Sequence, residues 1–199
     1  MANSGVFNID DINFLKDNQQ YPSFGQLELI QTQVAFGSSL NIDFTNIKEN
    51  IYNVHFLTLS GIFFAGTNKM PRMRLSNDSG ATFESGSSYV QAYESMIVST
   101  VNQIRSTGQG YFNLMNNVGN EVTEVGNAYT YLYNLGDSSR YSWINNHSTG
   151  MNSGGTYHGC TFGGGVYMVK EKINAIRIFE ATASHNITGT ASLYGIRFS

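Results

Sequence analysis

Three kinds of residue in this chain could do chemistry: carboxylates, histidines and rows of aromatics. The carboxylates are poorly arranged for acid–base work. Glu121 and Glu124 fall on opposite faces of an expected strand, and paired acid–base chemistry needs two carboxyls converging on one bond. His55, His147, His158 and His185 show no metal-ligand spacing, and Cys160 is the lone cysteine, so no zinc motif is present. Gly163–Gly165 lacks the Lys-Ser/Thr of a phosphate loop and reads as a kink or bulge between two short strands. No nucleophile elbow occurs. The expectation is therefore no catalytic residue, no metal and no cofactor.

The aromatic rows are more promising. In "YTYLY", strand periodicity puts Tyr129, Tyr131 and Tyr133 on one face, with Thr130 and Leu132 on the other. Flat rings with hydroxyl tips suit a core edge or a subunit interface first, and sugar stacking second. In "RYSWINNHSTGMNSGGTYHG", Tyr141 and Trp143 share a strand face. A polar, Gly-rich loop carrying Asn145, Asn146, His147 and Asn152 is expected to follow. Aromatics beside amide donors are what a glycan contact needs. This stretch is the leading ligand-contact candidate, although Trp143 on its own reads first as a core plug. "RLSNDSGATFESGSSY" reads as a turn: Asp78 can bond its own backbone, Gly80 can take positive φ, and the oxygen ligands of a calcium loop are missing.

The elements that must position these residues are short strands. In "SLNIDFT", Leu40, Ile42 and Phe44 alternate with polar residues. In "IYNVHFLTLS", Tyr52, Val54 and Phe56 alternate with Asn53 and His55. In "RMRLS", Met73 and Leu75 point inward and both arginines outward. Further strands are expected near 26–35, 96–104, 121–135, 140–146, 155–169, 173–180 and 188–198, separated by Gly, Asn and Ser clusters. Roughly ten such strands predict an all-β, antiparallel sandwich or jelly roll over residues 26–199. Residues 1–25 differ. Ile9, Ile12 and Leu15 are at helical spacing and Pro22 ends the run, so a short helix or ordered segment is expected there.

Composition narrows the partners. Charged residues are 13% of the 199, about half the usual share, so the polar surface must be Asn, Ser, Thr, Gln and Gly. Such a surface suits packed assemblies and sugar contacts. The net charge is -3 and the basic residues are scattered, which argues against nucleic acid. No apolar run reaches membrane length, so membrane insertion is not expected. The opening residues lack a signal-peptide pattern, and synthesis in a cytoplasm is the expected route.

Four stretches taken in order resemble a family. "SGVFNIDDINFL…YP" is similar to the lead segment of tailed-bacteriophage fibre proteins, with Phe7 where Trp is usual. "LELIQTQVAFGSSLNIDFTNI…YNVHFLTLSGI" resembles the opening strands of a β-sandwich module of phage virion proteins. "RLSNDSGATFESGSSY" resembles that module's Arg-x-Ser-x-Asp-x-Gly-x-x-Phe stretch, and "INAIRIFEATASHNITGTASLYGIRF" its closing hairpin. Residues 95–160 have no counterpart in the resemblance. It implies a virion protein, a tail-fibre, baseplate or head-fibre tip, commonly a homotrimer. Its lead segment would dock to other virion proteins through Val6, Phe7, Ile9, Ile12 and Leu15, and its distal loops would touch host-surface glycan. A purely structural baseplate, collar or capsid-decoration role is the alternative.

Overall fold

The computed structural model describes residues 10, 14, 27–98, 100–156, 158–182 and 184–196. Val6, Phe7, Ile9, Ile12 and Leu15 lie outside them; Asp10 and Phe14 are helical and exposed. From Leu27 the described chain is β structure. The strands are β1 (Leu27–Ser39), β2 (Asn41–Phe44), β3 (Val54–Phe64), β4 (Pro71–Ser76), β5 (Tyr89–Ile97), β6 (Thr100–Gln109), β7 (Phe112–Asn113), β8 (Gly126–Tyr133), β9 (Ser142–Met151), β10 (His158–Tyr167), β11 (Ala175–Glu180) and β12 (Ile187–Ile196).

They form two sheets, both antiparallel throughout. One has eight strands in the order β1-β12-β3-β8-β9-β10-β5-β6. The other has four, β2-β11-β4-β7. The predicted all-β antiparallel sandwich is what the chain forms. The alternation in the sequence explains the packing. Ile42 and Phe44 of β2, Met73 and Leu75 of β4, and Ile176 and Ile178 of β11 are at most 3% exposed. They pack in one core with Leu57 and Leu59 of β3, Leu132 of β8 and Leu193 of β12. The expected inward phase of β2 and β4 therefore holds for these residues, although Leu40 is 39% exposed.

Other expectations need correction. In β3 Val54 is buried as expected, but beyond it the phase is inverted: His55 and Leu57 are fully buried, while Phe56 is on the outer side. The apolar Leu57 and Leu59 outweigh one polar histidine. His55 is accommodated because its Nε2–H donates to the Ile47 carbonyl at 2.8 Å. Burial pushes its pKa down, so the ring is neutral. The stretch around 96–104 is not one strand: β5 ends at Ile97 and β6 begins at Thr100. Glu121 and Glu124 lie in a turn before β8. There Glu124 is buried and its carboxylate accepts bonds from the Asn120 and Gly154 backbone N–H groups. Gly163–Gly165 is continuous β10, paired without a register shift to β9 and β5.

The turn after β4 is built as its composition implies. The Asp78 carboxylate accepts from Ser76 Oγ, Thr82 N and Thr82 Oγ1 at 2.7, 2.9 and 2.6 Å. Ser79 and Gly80 have positive φ. The bonds to Thr82 and Ser76 hold the Asp78 pKa down at about 2. These donors all belong to the turn itself, so the stretch turns the chain.

Candidate functional site on the outer face of the large sheet

One side of the eight-stranded sheet covers the core; the other faces away. Residues paired across an antiparallel ladder point the same way, so the register lays out that outer face. One row runs Tyr194, Phe56, Tyr131, Asn145, Gly164, Ala92, Arg105. A neighbouring row runs Ser192, Thr58, Tyr129, His147, Phe162, Glu94, Gln103. On the other flank of the first, Tyr133 is opposite Trp143, which is opposite Val166.

The first half of this face is aromatic. Phe56 contacts the rings of Tyr131 at 4.7 Å, Tyr129 at 6.1 Å and Tyr194 at 6.2 Å, and Tyr131 stacks with Tyr133 at 6.4 Å. Tyr129 meets His147 edge to face, and its hydroxyl is 2.9 Å from Nδ1. The tyrosines do share one face, as their spacing predicts. They do not form the core, which Thr130 and Leu132 enter instead; Tyr129 is 44% exposed. A groove of about 410 Å³ runs beside Phe56, Tyr129 and His147.

The second half contains a trough. Gly164 is its floor, because glycine places nothing on the outer side of β10. Trp143, 50% exposed, stands on β9 at one end, and Phe162, 43% exposed, stands on β10 at the other. The larger part, about 500 Å³, is lined by Trp143, Asn145, Ala92, Arg105, Ser106 and Thr107. The smaller part, about 260 Å³, is lined by Phe162, Glu94, Gln103 and Arg105. Gln103 Nε2 donates to Glu94 Oε1 at 3.2 Å. Trp143 and Phe162 are about 14 Å apart, from four residues of strand rise and one strand step.

The glycines are required from both sides. A Cβ on Gly164 would sit 2.5 Å from the Ile144 carbonyl oxygen. A Cβ on Gly165, which faces inward, would sit 2.6 Å from Phe112 Cε1. Beneath the floor lies a polar layer. Thr130 Oγ1 donates to Asn146 Oδ1 at 2.7 Å, Asn146 Nδ2 donates to the Leu114 carbonyl at 2.7 Å, and Gln91 Oε1 accepts from Asn113 N at 2.8 Å. Ser148 bonds Thr161, and burial pushes the Tyr93 phenol pKa up.

The predicted contact residues thus separate. Trp143, Asn145 and His147 reach the outer face from a strand, not a loop, because pairing with β8 and β10 overrides the weak strand propensity of Asn. Trp143 is not a core plug. Asn146 points inward and ties the floor to the Leu114 carbonyl. Asn152 is 4% exposed and donates to Thr156 Oγ1 at 2.7 Å, so neither presents its amide on this face. Tyr141 precedes β9 under Lys170 Nζ at 5.7 Å and does not line the trough. His147 and His158 do not meet: His147 bonds Tyr129, and His158 bonds Thr149 further along the hairpin. Phe162, Gly164, Gln103 and Arg105 were missed. Their signal was the strand alternation in "TFGGGV" and "NQIRST".

No protein-family model matches the chain, and no curated protein matches it. Among solved structures, it is similar to a mutant of the GH43 protein BlXynB from Bacillus licheniformis. That match has 9% identity and a TM-score of 0.28, over 73% of this chain and 28% of the other. It is also similar to the PL-14 alginate lyase of Aplysia kurodai, with 11% identity and a TM-score of 0.22, over 69% and 70%. The chain thus spans just over a quarter of the GH43 protein, and at these scores neither likeness carries an argument about activity.

Proposed function

We propose that this chain is a bacteriophage virion protein, a tail-fibre or baseplate-associated tip that binds host-surface glycan without cleaving it. The virion assignment rests on the four ordered sequence stretches. The binding assignment rests on one observation: the glycine-floored trough between the exposed Trp143 and Phe162. Saccharides bind on flat aromatic faces, with hydroxyls bonded by planar amide and guanidinium groups. The trough supplies both, on strands, where side chains are held more rigidly than on loops. Single-site contacts of this size are weak. A homotrimeric tip, which the resemblance implies, would convert them to firm attachment through avidity.

The test is binding of the purified protein to host cells, with Trp143→Ala as the variant. Loss of cell binding with the oligomeric state unchanged supports the reading. Full cell binding by the variant would sink it.

A second reading, a structural baseplate, collar or capsid-decoration subunit, is favoured by a different observation. Phe36 is 82% exposed, Leu29 58%, and Leu27 and Val34 50% each, all on edge strand β1. Apolar side chains on a long open edge suit permanent protein contact. If Trp143→Ala breaks the oligomer instead of the cell contact, this second reading gains.

A further inference from the structure

The described arginines differ in what occupies them. Arg72 lies over the Tyr111 ring at 3.9 Å. Arg74 donates to the Gly110 carbonyl at 2.9 Å and lies over Phe179. Arg140 pairs with Asp137, and Arg177 makes a two-pronged pair with Asp43 at 2.8 and 2.6 Å. Arg105 alone among them has no hydrogen bond, ion pair or ring contact, and it is exposed on the wall of the trough. The chain is net negative, at -3. A single free guanidinium therefore creates no general attraction for anions; its effect is confined to the trough.

We infer that the trough takes an acidic saccharide, one whose carboxylate is held by Arg105 while a neighbouring sugar ring lies on Trp143. The planar guanidinium fork matches a carboxylate through two parallel N–H···O bonds. Three strand steps separate β9 from β6, about 14 Å, so the two contacts fall on different sugar residues of one chain. Asn145 stands beside Trp143 on β9, at the other end of the row from Arg105, and can bond ring hydroxyls there. The trough also differs in charge from one end to the other. Glu94 stands in the part toward Phe162, held by Gln103, and repels a carboxylate there. An acidic saccharide would therefore lie in one direction, with its anionic residue at Arg105. This inference rests on the glycan-binding reading and specifies its ligand class.

The experiment uses the full chain and immobilised bacterial capsular polysaccharides, each in native acidic form and after chemical reduction of its carboxylates to alcohols. The expected result is binding to native polymers that falls at least tenfold on reduction, falls with rising ionic strength, and falls roughly tenfold or more in Arg105→Gln. Arg105→Lys, which keeps the charge and loses the fork, should recover only part. Trp143→Ala should lose binding to both forms. Equal binding of native and reduced polymers, or an unchanged Arg105→Gln, would overturn the acidic assignment and leave glycan binding standing. A preference for phosphorylated over carboxylated polymers would overturn the carboxylate assignment. Binding to no polysaccharide in either form would remove the glycan reading and this inference together.

Discussion

The two halves of the large sheet's outer face use aromatic residues in opposite ways. Over β12, β3 and β8 the rings of Tyr194, Phe56, Tyr129, Tyr131 and Tyr133 touch one another. Over β9, β10, β5 and β6 two large aromatics, Trp143 and Phe162, flank a floor without side chains. The inner side follows the same division. Under the first half lie Leu57, Leu59, Leu132 and Leu193. Under the second lie Ser148 and Thr161, bonded to each other, Gln91, bonded to Asn113 of β7, and Asn146, bonded to Leu114 just after it. Rings that contact each other leave less apolar surface for a ligand and stiffen the sheet. Rings held apart by glycine leave surface open. The same residue types thus stabilise in one half and present a surface in the other, and spacing decides which.

The sharpest way to break this division is to fill the floor from below. Gly165→Val would drive methyl groups into Phe112 and the Val90 carbonyl. It should cost roughly 3 kcal/mol or more, read as a lower denaturant midpoint. Gly164→Ala, on the outer side, should cost less and still reduce polysaccharide binding. If Gly165→Val is neutral, the close strand approach described here is wrong.

The apolar first half has its own test. His55 is buried beneath it and neutral, with a pKa lowered by burial. Unfolded, it titrates near 6.5. Between those values the unfolded chain binds the extra proton, so stability is full above pH about 6.5. It falls as pH drops, by about 1.4 kcal/mol per unit at most, until the folded pKa is reached. His55→Gln, which keeps a donor for the Ile47 carbonyl, should flatten that slope in denaturation series at pH 5 to 7. An unchanged slope would mean another group is responsible.

Smaller effects separate the aromatic rows. Tyr131→Ala removes stacking on Phe56 and Tyr133 and should cost about 1 kcal/mol beyond lost area, read as a lower thermal midpoint. Trp143→Ala should change stability by less than that while it abolishes ligand binding. Reversal of the two would show that the halves have been assigned the wrong way round. The least effect belongs to Asp78, outside both halves. Its pKa of about 2 means the turn's support is full above pH about 4 and disappears as pH falls through about 2. Asp78→Asn should lower stability slightly above pH about 4 and converge on the unsubstituted protein as pH falls through about 2.

Much of the sandwich was legible because β2 and β4 are apolar on one face alone, which fixes both period and phase. In β3 the period was visible and the phase was not. Phe56 on one side and Leu57 and Leu59 on the other are all apolar, and a histidine with a backbone partner can be buried as readily as a phenylalanine can be exposed. The site was half legible. Trp143 and the tyrosine row stood out as residue types. The strand carrying Asn145 to His147 did not, because Asn and Gly mark loops except where both neighbours are already strands. The floor was least legible: three glycines in sequence read as a break. Only the closeness of Ile144, Phe112 and Val90 shows why an uninterrupted strand has no side chains there.

The strand order has a mechanical consequence. The edge strand β1 follows the N-terminal segment, and the trough lies at the far side, over β9 to β6. On the proposed reading, a particle held by that segment and a cell held at the trough would pull across the sheet, along its hydrogen bonds. The intervening ladders would carry this load in series, so the weakest pairing sets the breaking force. Register shifts interrupt the ladders between β1 and β12, between β12 and β3, and between β3 and β8. The ladders β8–β9, β9–β10 and β10–β5 have none, and β5–β6 at the opposite edge has one. Under tension, the sheet would then yield first at its two sides, and the uninterrupted ladders from β8 to β5, which hold the trough floor, would part last.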